Sequence, residues 1–172
     1  MWLAQRPELP VAATVIFYAA RNGDFTRSHS RFLFHFAEDD DWVSAAGVKR
    51  IKKSLEAAGR DAVYHVYPRV IATNPKNGSA EVDPSLSRIT VTFNKPMLDK
   101  SWSWSYEDKD SFPQTAGEPS YTENGTTCVL PVKLEPGKRY VIWINTARFK
   151  NFKDRNGNAV EPYRLVFTTR QK

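Results

Sequence analysis

Two rhythms of apolar and polar residues divide this chain. In its first third, apolar residues come in short unbroken runs. Residues 12 to 18, AATVIFY, and 31 to 37, RFLFHFA, are β-prone throughout. Runs of that length without alternation predict strands buried on both faces of a parallel sheet. The period then becomes helical. Ser44 suits an N-cap, and Val48, Ile51, Leu55 and Ala58 recur at spacings of three and four. Lys49, Arg50, Lys52 and Lys53 largely take the other side, and Gly59 supplies the stop. Residues 61 to 67 read as the next strand. Strand, helix and strand of this length form a βαβ unit, with a right-handed crossover expected.

Past Pro68 the grammar changes. Strands are predicted at 70–73, 88–93, 127–132, 139–145 and 163–169, all short. Turn sequences separate them: Pro75-Lys76-Asn77-Gly78, Glu123-Asn124-Gly125, Glu135-Pro136-Gly137 and Arg155-Asn156-Gly157-Asn158. No amphipathic helix of useful length intervenes. Short strands with Asn-Gly turns predict an antiparallel sandwich. The expected fold class is therefore α+β, with a partial parallel βαβ unit at 1–68 joined to an antiparallel β-sandwich at 69–172. Tyr67-Pro68-Arg69 passes almost directly from one to the other, which argues for a stiff junction or one merged structure.

Composition narrows the class without naming a function. The chain has 172 residues, 41% hydrophobic, 13% aromatic and 26% charged, which excludes a disordered polymer and suits a real core. A formal charge of +6 favours solubility and acidic partners. The basic run Lys49-Arg50-Ile51-Lys52-Lys53 has no nucleic-acid motif beside it and reads as a solvated helix face. The only cysteine is Cys128, so no internal disulfide forms. No apolar run nears ~18 residues, so no membrane span is expected. Arg6, Glu8 and two prolines interrupt the N-terminal segment before a secretory pattern develops, and a cytoplasmic location follows as the expectation.

Residues 32 to 68, FLFHFAEDDDWVSAAGVKRIKKSLEAAGRDAVYHVYP, resemble the last part of an α/β-hydrolase of the dienelactone hydrolase family. WLAQRPELPVAATVIFY, before them, looks like the end of the helix that follows the family's nucleophile, and then its next strand. The resemblance implies that Asp40 is the acid of a nucleophile–His–Asp triad, through the spacing D-x-x-V with Val43. It also implies a His in the loop after residue 67, where the chain reads YPRVIAT. No G-x-S-x-G nucleophile motif is present either. Only a vestigial acid would remain.

The second region resembles the bacterial Ig-like domains. The phrases ATNPKNGSAEVDPSLSRITVTFNKPM, LEPGKRYVIWI and NGNAVEPYRLVFTT fall in that family's order, across roughly residues 69 to 170. Such domains serve as spacers or accessory modules in larger, often exported, bacterial proteins. The resemblance implies scaffolding or interaction in place of chemistry.

Candidate chemistry is sparse. His35 and His65 occupy equivalent points in two strands and are expected to be neighbours in the sheet. With Asp40 they are the alternatives for an improvised hydrolytic site. Otherwise they are strand histidines packed among Phe, Tyr and Val. His29, between Ser28 and Ser30, lies in a polar loop at the wrong end of its strand for the Asp39–Asp41 turn. Cys128, in TTCVLPV, reads as a small buried hydrophobe. Consecutive Asp residues cannot converge on a cation, and Asp154-Arg155-Asn156-Gly157-Asn158 reads as a hairpin turn lacking an EF-hand's terminal Glu, so no metal or cofactor is expected. Trp102, Trp104 and Tyr106 alternate along an extended segment and share a face. Exposed, they would stack on sugars or seat a partner; buried, they would close the sandwich core.

These readings lead to a non-catalytic structural or binding module, a chimera of hydrolase fragment and Ig-like domain. The alternative is an esterase-like hydrolase of small activated esters or lactones, with its site near Asp40 and assembled across a dimer. A small ester or a carbohydrate is the expected ligand class. Three strands and one helix bury little on their own. The edge of strand 12–18 is therefore expected to pair with the other half or with a second copy in a two-fold homo-oligomer.

Overall fold

In the computed structural model, which describes residues 3–17, 19, 21, 23–37 and 44–171, the helical period of the first third becomes one helix, α1 (Ala45–Ala57). Ser44 caps it, accepting the Gly47 N–H at 3.2 Å through its hydroxyl. Gly59, at φ 63°, ends it in a conformation that glycine adopts without penalty. The chain divides into two compact units, Met1–Tyr67 and Pro68–Lys172.

In the first unit β1 (Ala13–Phe17), β2 (Arg31–Ala37) and β3 (Ala62–Tyr67) form a parallel sheet in the order β1-β2-β3. Alternate side chains of β2, Phe32, Phe34 and Phe36, bury fully against Ile16, Phe25, Ile51 and Leu55. Val48 and Ala58 complete the helix stripe, half-buried. Arg60 holds the loop ahead of β2, donating through Nε to the Phe25 carbonyl at 3.2 Å.

The expectation of strands buried on both faces is corrected here. Only the α1 face has a core. On the other face Val15, Phe17 and Val63 are 54%, 62% and 56% exposed. The reason lies in the supply of helices. A parallel sheet is covered on both faces when crossovers place helices on each. Among the described residues this unit has one α-helix, and it takes one face.

The second unit is antiparallel throughout its named strands. β4 (Val70–Asn74), β5 (Arg88–Phe93), β9 (Thr127–Lys133) and β7 (Gln114–Thr115) form one sheet in that order, and β8 (Ser120–Tyr121) also pairs with β9. The other sheet runs β11 (Tyr163–Thr168), β10 (Arg139–Ile144), β6 (Trp104–Tyr106). Inward residues alternate with outward ones along each long strand. Ile89, Val91 and Phe93 of β5, Cys128, Leu130 and Val132 of β9, Tyr140, Ile142 and Ile144 of β10, and Leu165 and Phe167 of β11 make one continuous core. All five predicted strands are present within a residue at their ends. β6, β7 and β8 are two or three residues long, too short to register a period.

Asn145 directs the chain as it leaves β10. It is fully buried at φ 59°, a region asparagine tolerates better than most residues. Its Nδ2 donates to the carbonyls of Phe152 (3.0 Å) and Val160 (2.8 Å), and its Oδ1 accepts the Phe152 N–H (2.9 Å). One side chain thus satisfies the Phe152 N–H and the Val160 carbonyl, and it adds a second donor to the Phe152 carbonyl, which also accepts the Val160 N–H at 2.9 Å. This latch sets the path of residues 146–152.

Candidate functional site

The segment the latch directs faces the tryptophan-bearing segment of the other strand. Asn145 donates its backbone N–H to the Ser103 carbonyl (3.1 Å), and Ser103 Oγ accepts the Asn151 N–H (3.0 Å). Ser101 Oγ bonds the Asn151 carbonyl. Within the loop, the Thr146 N–H donates to the Phe149 carbonyl (2.8 Å), and the Phe149 N–H donates to Thr146 Oγ1 (3.0 Å). Together these bonds hold residues 146–151 against residues 101–105. Between them opens a cleft of about 510 Å³, lined by Trp102, Ser103, Trp104, Ser105 and Tyr106 on one side and by Thr146, Phe149 and Asn151 on the other.

The two tryptophans pack against the sandwich core and also line the cleft. Trp102 packs on Tyr121 at 6.3 Å between ring centroids, and Trp104 meets Phe152 edge-on at 5.3 Å. Tyr106 rests against Phe112 but stays 59% exposed, and Phe149 is 50% exposed. Phe149 was not foreseen. It sits in ARFKNFKD, where no period marks it. A lone aromatic amid polar loop residues is the only signal it carries.

The histidines meet as expected. Phe17, His35 and His65 are in direct register across β1, β2 and β3. Their rings stack at 4.7 Å (Phe17–His35) and 5.2 Å (His35–His65), with Tyr67 alongside. His35 Nδ1 and Tyr67 Oη are 2.6 Å apart, a hydrogen bond that fills one ring nitrogen. Among the described residues no serine or cysteine stands in this ladder. Asp40, Asp39 and Asp41 lie outside the described residues. Ser30 Oγ donates to the Val11 carbonyl (2.5 Å), and Ser28 Oγ accepts the Ser30 N–H (3.2 Å), so both serines of the His29 loop hold backbone.

Elsewhere burial suppresses reactivity. Desolvation pushes the Cys128 thiol up to about 12, while the buried Trp104 indole N–H, which makes no hydrogen bond of ordinary geometry, pulls partly the other way. A thiol so protonated is a poor nucleophile. Tyr121 is raised by burial and donates its hydroxyl to the Ser101 carbonyl (2.9 Å), which supports the cleft from behind.

Asp154 also closes on itself. Burial pushes its pKa up, but hydrogen bonds overcome this and hold it below its ordinary 3.8. Its carboxylate accepts from Asn158 through side chain and backbone, from the Asn156 N–H, and from Lys95 Nζ at 3.2 Å. The segment 154–158 is thus a hairpin turn, with Gly157 at φ 85°. Among the described residues no cluster of three His, Cys, Asp or Glu is placed to hold a metal. Lys49, Arg50 and Lys53 are exposed, as a solvated face requires. No helix among the described residues is long and apolar enough to cross a membrane.

Residues 65–169 match the family model described as the bacterial Ig-like domain. Among solved structures, the chain is similar to surface layer protein SbsC, domains 1–6, at 20% identity over 76% of this chain, with a TM-score of 0.42. It is likewise similar to the S-layer protein rSbsC(31-844), at 21% identity over 76% of this chain, with a TM-score of 0.41. The chain spans 17% of the length of each of those chains. No curated protein matches it.

Proposed function

The chain belongs to the bacterial Ig-like domain family, and from that premise we propose that it works as a non-catalytic structural module of a larger assembly. The observation that carries the proposal is the continuous core between two antiparallel sheets, from Ile89 to Phe167, closed by the Asn145 latch. Three side chains capable of chemistry are committed elsewhere: Cys128 to the core, Asp154 to its hairpin, His35 to Tyr67. An exported or surface location suits this family better than the cytoplasmic one expected from the N-terminal segment.

The proposal extends to the first unit. Its parallel β1-β2-β3 order with a single helix supports descent from the C-terminal part of a dienelactone-hydrolase-like domain, retained as a structural remnant. The outer edge of β1 and the exposed side chains Val15, Phe17 and Val63 support pairing of this unit with a second copy. Sedimentation tests that extension: a stable monomer at micromolar concentration removes it.

Catalysis is tested with p-nitrophenyl acetate and a small lactone. The proposal expects no saturable turnover by the wild-type chain. Saturable turnover that disappears in Asp40→Ala, His35→Ala or His65→Ala would establish the esterase-like alternative.

A further inference from the structure

We propose that the cleft between residues 102–106 and 146–151 binds a neutral saccharide chain, with Tyr106 and Phe149 as stacking platforms. Its composition carries the argument. Four aromatic residues line the cleft, and the remaining lining is hydroxyl and amide; the Arg148 guanidinium lies over the Phe149 ring, 5.3 Å from its centroid, which leaves one face of that ring for a ligand. The two most exposed rings, Tyr106 and Phe149, stand on opposite walls. Two large exposed rings on one cleft form an apolar patch of the kind recognition sites carry.

The polar groups suit the same class of ligand. The Ser105 hydroxyl and the Asn151 side-chain amide make no hydrogen bond to any described residue. Ser103 and Thr146 each accept one backbone N–H and keep their own hydroxyl proton to donate. Donors and acceptors without charge, between apolar ring faces, complement a pyranoside. Such a sugar has C–H faces to stack and equatorial hydroxyls to pair. Arg148, the cation against Phe149, is placed over that ring, and the lining itself offers an anionic ligand no charged partner. Strand addition by a peptide has little backbone to use, since β6 is three residues long.

The walls are preorganised, which lowers the cost of binding. Asn145, Ser103 and Thr146 fix the loop through backbone hydrogen bonds before any ligand arrives.

The test is NMR titration of the full chain with cellotetraose and with N-acetylchitotetraose, both β-1,4-linked and uncharged, and with a proline-rich peptide as competitor class. The expected result is a saturable shift of the Ser105, Tyr106, Phe149 and Asn151 amides by at least one tetrasaccharide, with an affinity on the order of 1 mM or tighter. Tyr106→Leu and Phe149→Leu, which keep bulk and remove the ring, are expected to weaken it about ten-fold each. Asn151→Ala provides a variant outside the rings, expected to weaken binding without moving the melting temperature of the fold. The proposal is overturned if neither tetrasaccharide shifts these amides, if only the peptide does, or if both ring variants bind as tightly as the wild type.

Discussion

The two units solve the same problem with different resources. In the second, each sheet is covered by the other, and apolar residues from β5, β9, β10 and β11 meet in one core. In the first, α1 covers one face of the parallel sheet while Val15, Phe17 and Val63 stay exposed on the other. A sheet buried on one side only forgoes half of the hydrophobic stabilisation its strands are built to gain. Unbroken apolar runs therefore record a fold's requirement for cover, and they do not guarantee that the cover is present.

The largest expected effects fall in the cores. Ile142→Ala should destabilise the second unit by about 2–5 kcal/mol, and Phe34→Ala the first by about 3–5 kcal/mol. Hydrogen exchange on the full chain reads both. Each variant should lose protection in its own unit. Equal loss throughout, from either variant, would break the contrast between two units.

Next in size is the latch. Asn145→Ala leaves the Phe152 N–H and the Val160 carbonyl unpaired, and it puts alanine at a positive φ. A loss of about 2–3 kcal/mol is expected, measured by denaturant unfolding. Because the latch also shapes the cleft, the same variant should disturb the amides of residues 146–152 before it unfolds the sandwich.

Acid should act on the second unit through Asp154. Its folded pKa lies below the ordinary 3.8, so its contribution is present above 3.8 and is lost as pH falls through the folded value. Melting of the wild type should therefore decline below pH 3.8, and Asp154→Asn should flatten that decline while lowering stability at neutral pH. An unchanged acid profile in the variant would remove the hairpin carboxylate from the account. The smallest effect belongs to the exposed pair of Arg164 and Glu107, 2.7 Å apart. Glu107→Ala should change stability by less than about 1 kcal/mol.

Much of this architecture was legible in the sequence, for physical reasons that also explain what was not. Helix α1 was readable because its cap, stripe and stop are all local. The long strands of the second unit were readable because each is a short β-prone run bounded by local turn signals such as Asn124-Gly125 and Pro136-Gly137. The His35–His65 register followed from two strands of similar length flanking one helix. The exposed face of the first sheet was not readable, since a run of apolar residues looks the same whether or not a layer covers it. The Asn145 latch was hidden because its partners lie 7 and 15 residues on, at Phe152 and Val160, along a loop whose path it sets. The cleft was half visible: Trp102, Trp104 and Tyr106 stood out by alternation, while Phe149 stood alone in its loop.

The most direct test is to express residues 68–172 without the first unit and record heat-induced unfolding with a two-dimensional amide spectrum. The account predicts a dispersed spectrum and one cooperative transition, because the core from Ile89 to Phe167 lies wholly within those residues. A collapsed spectrum with no transition would contradict it, and would mean that the sandwich depends on the parallel sheet for its stability.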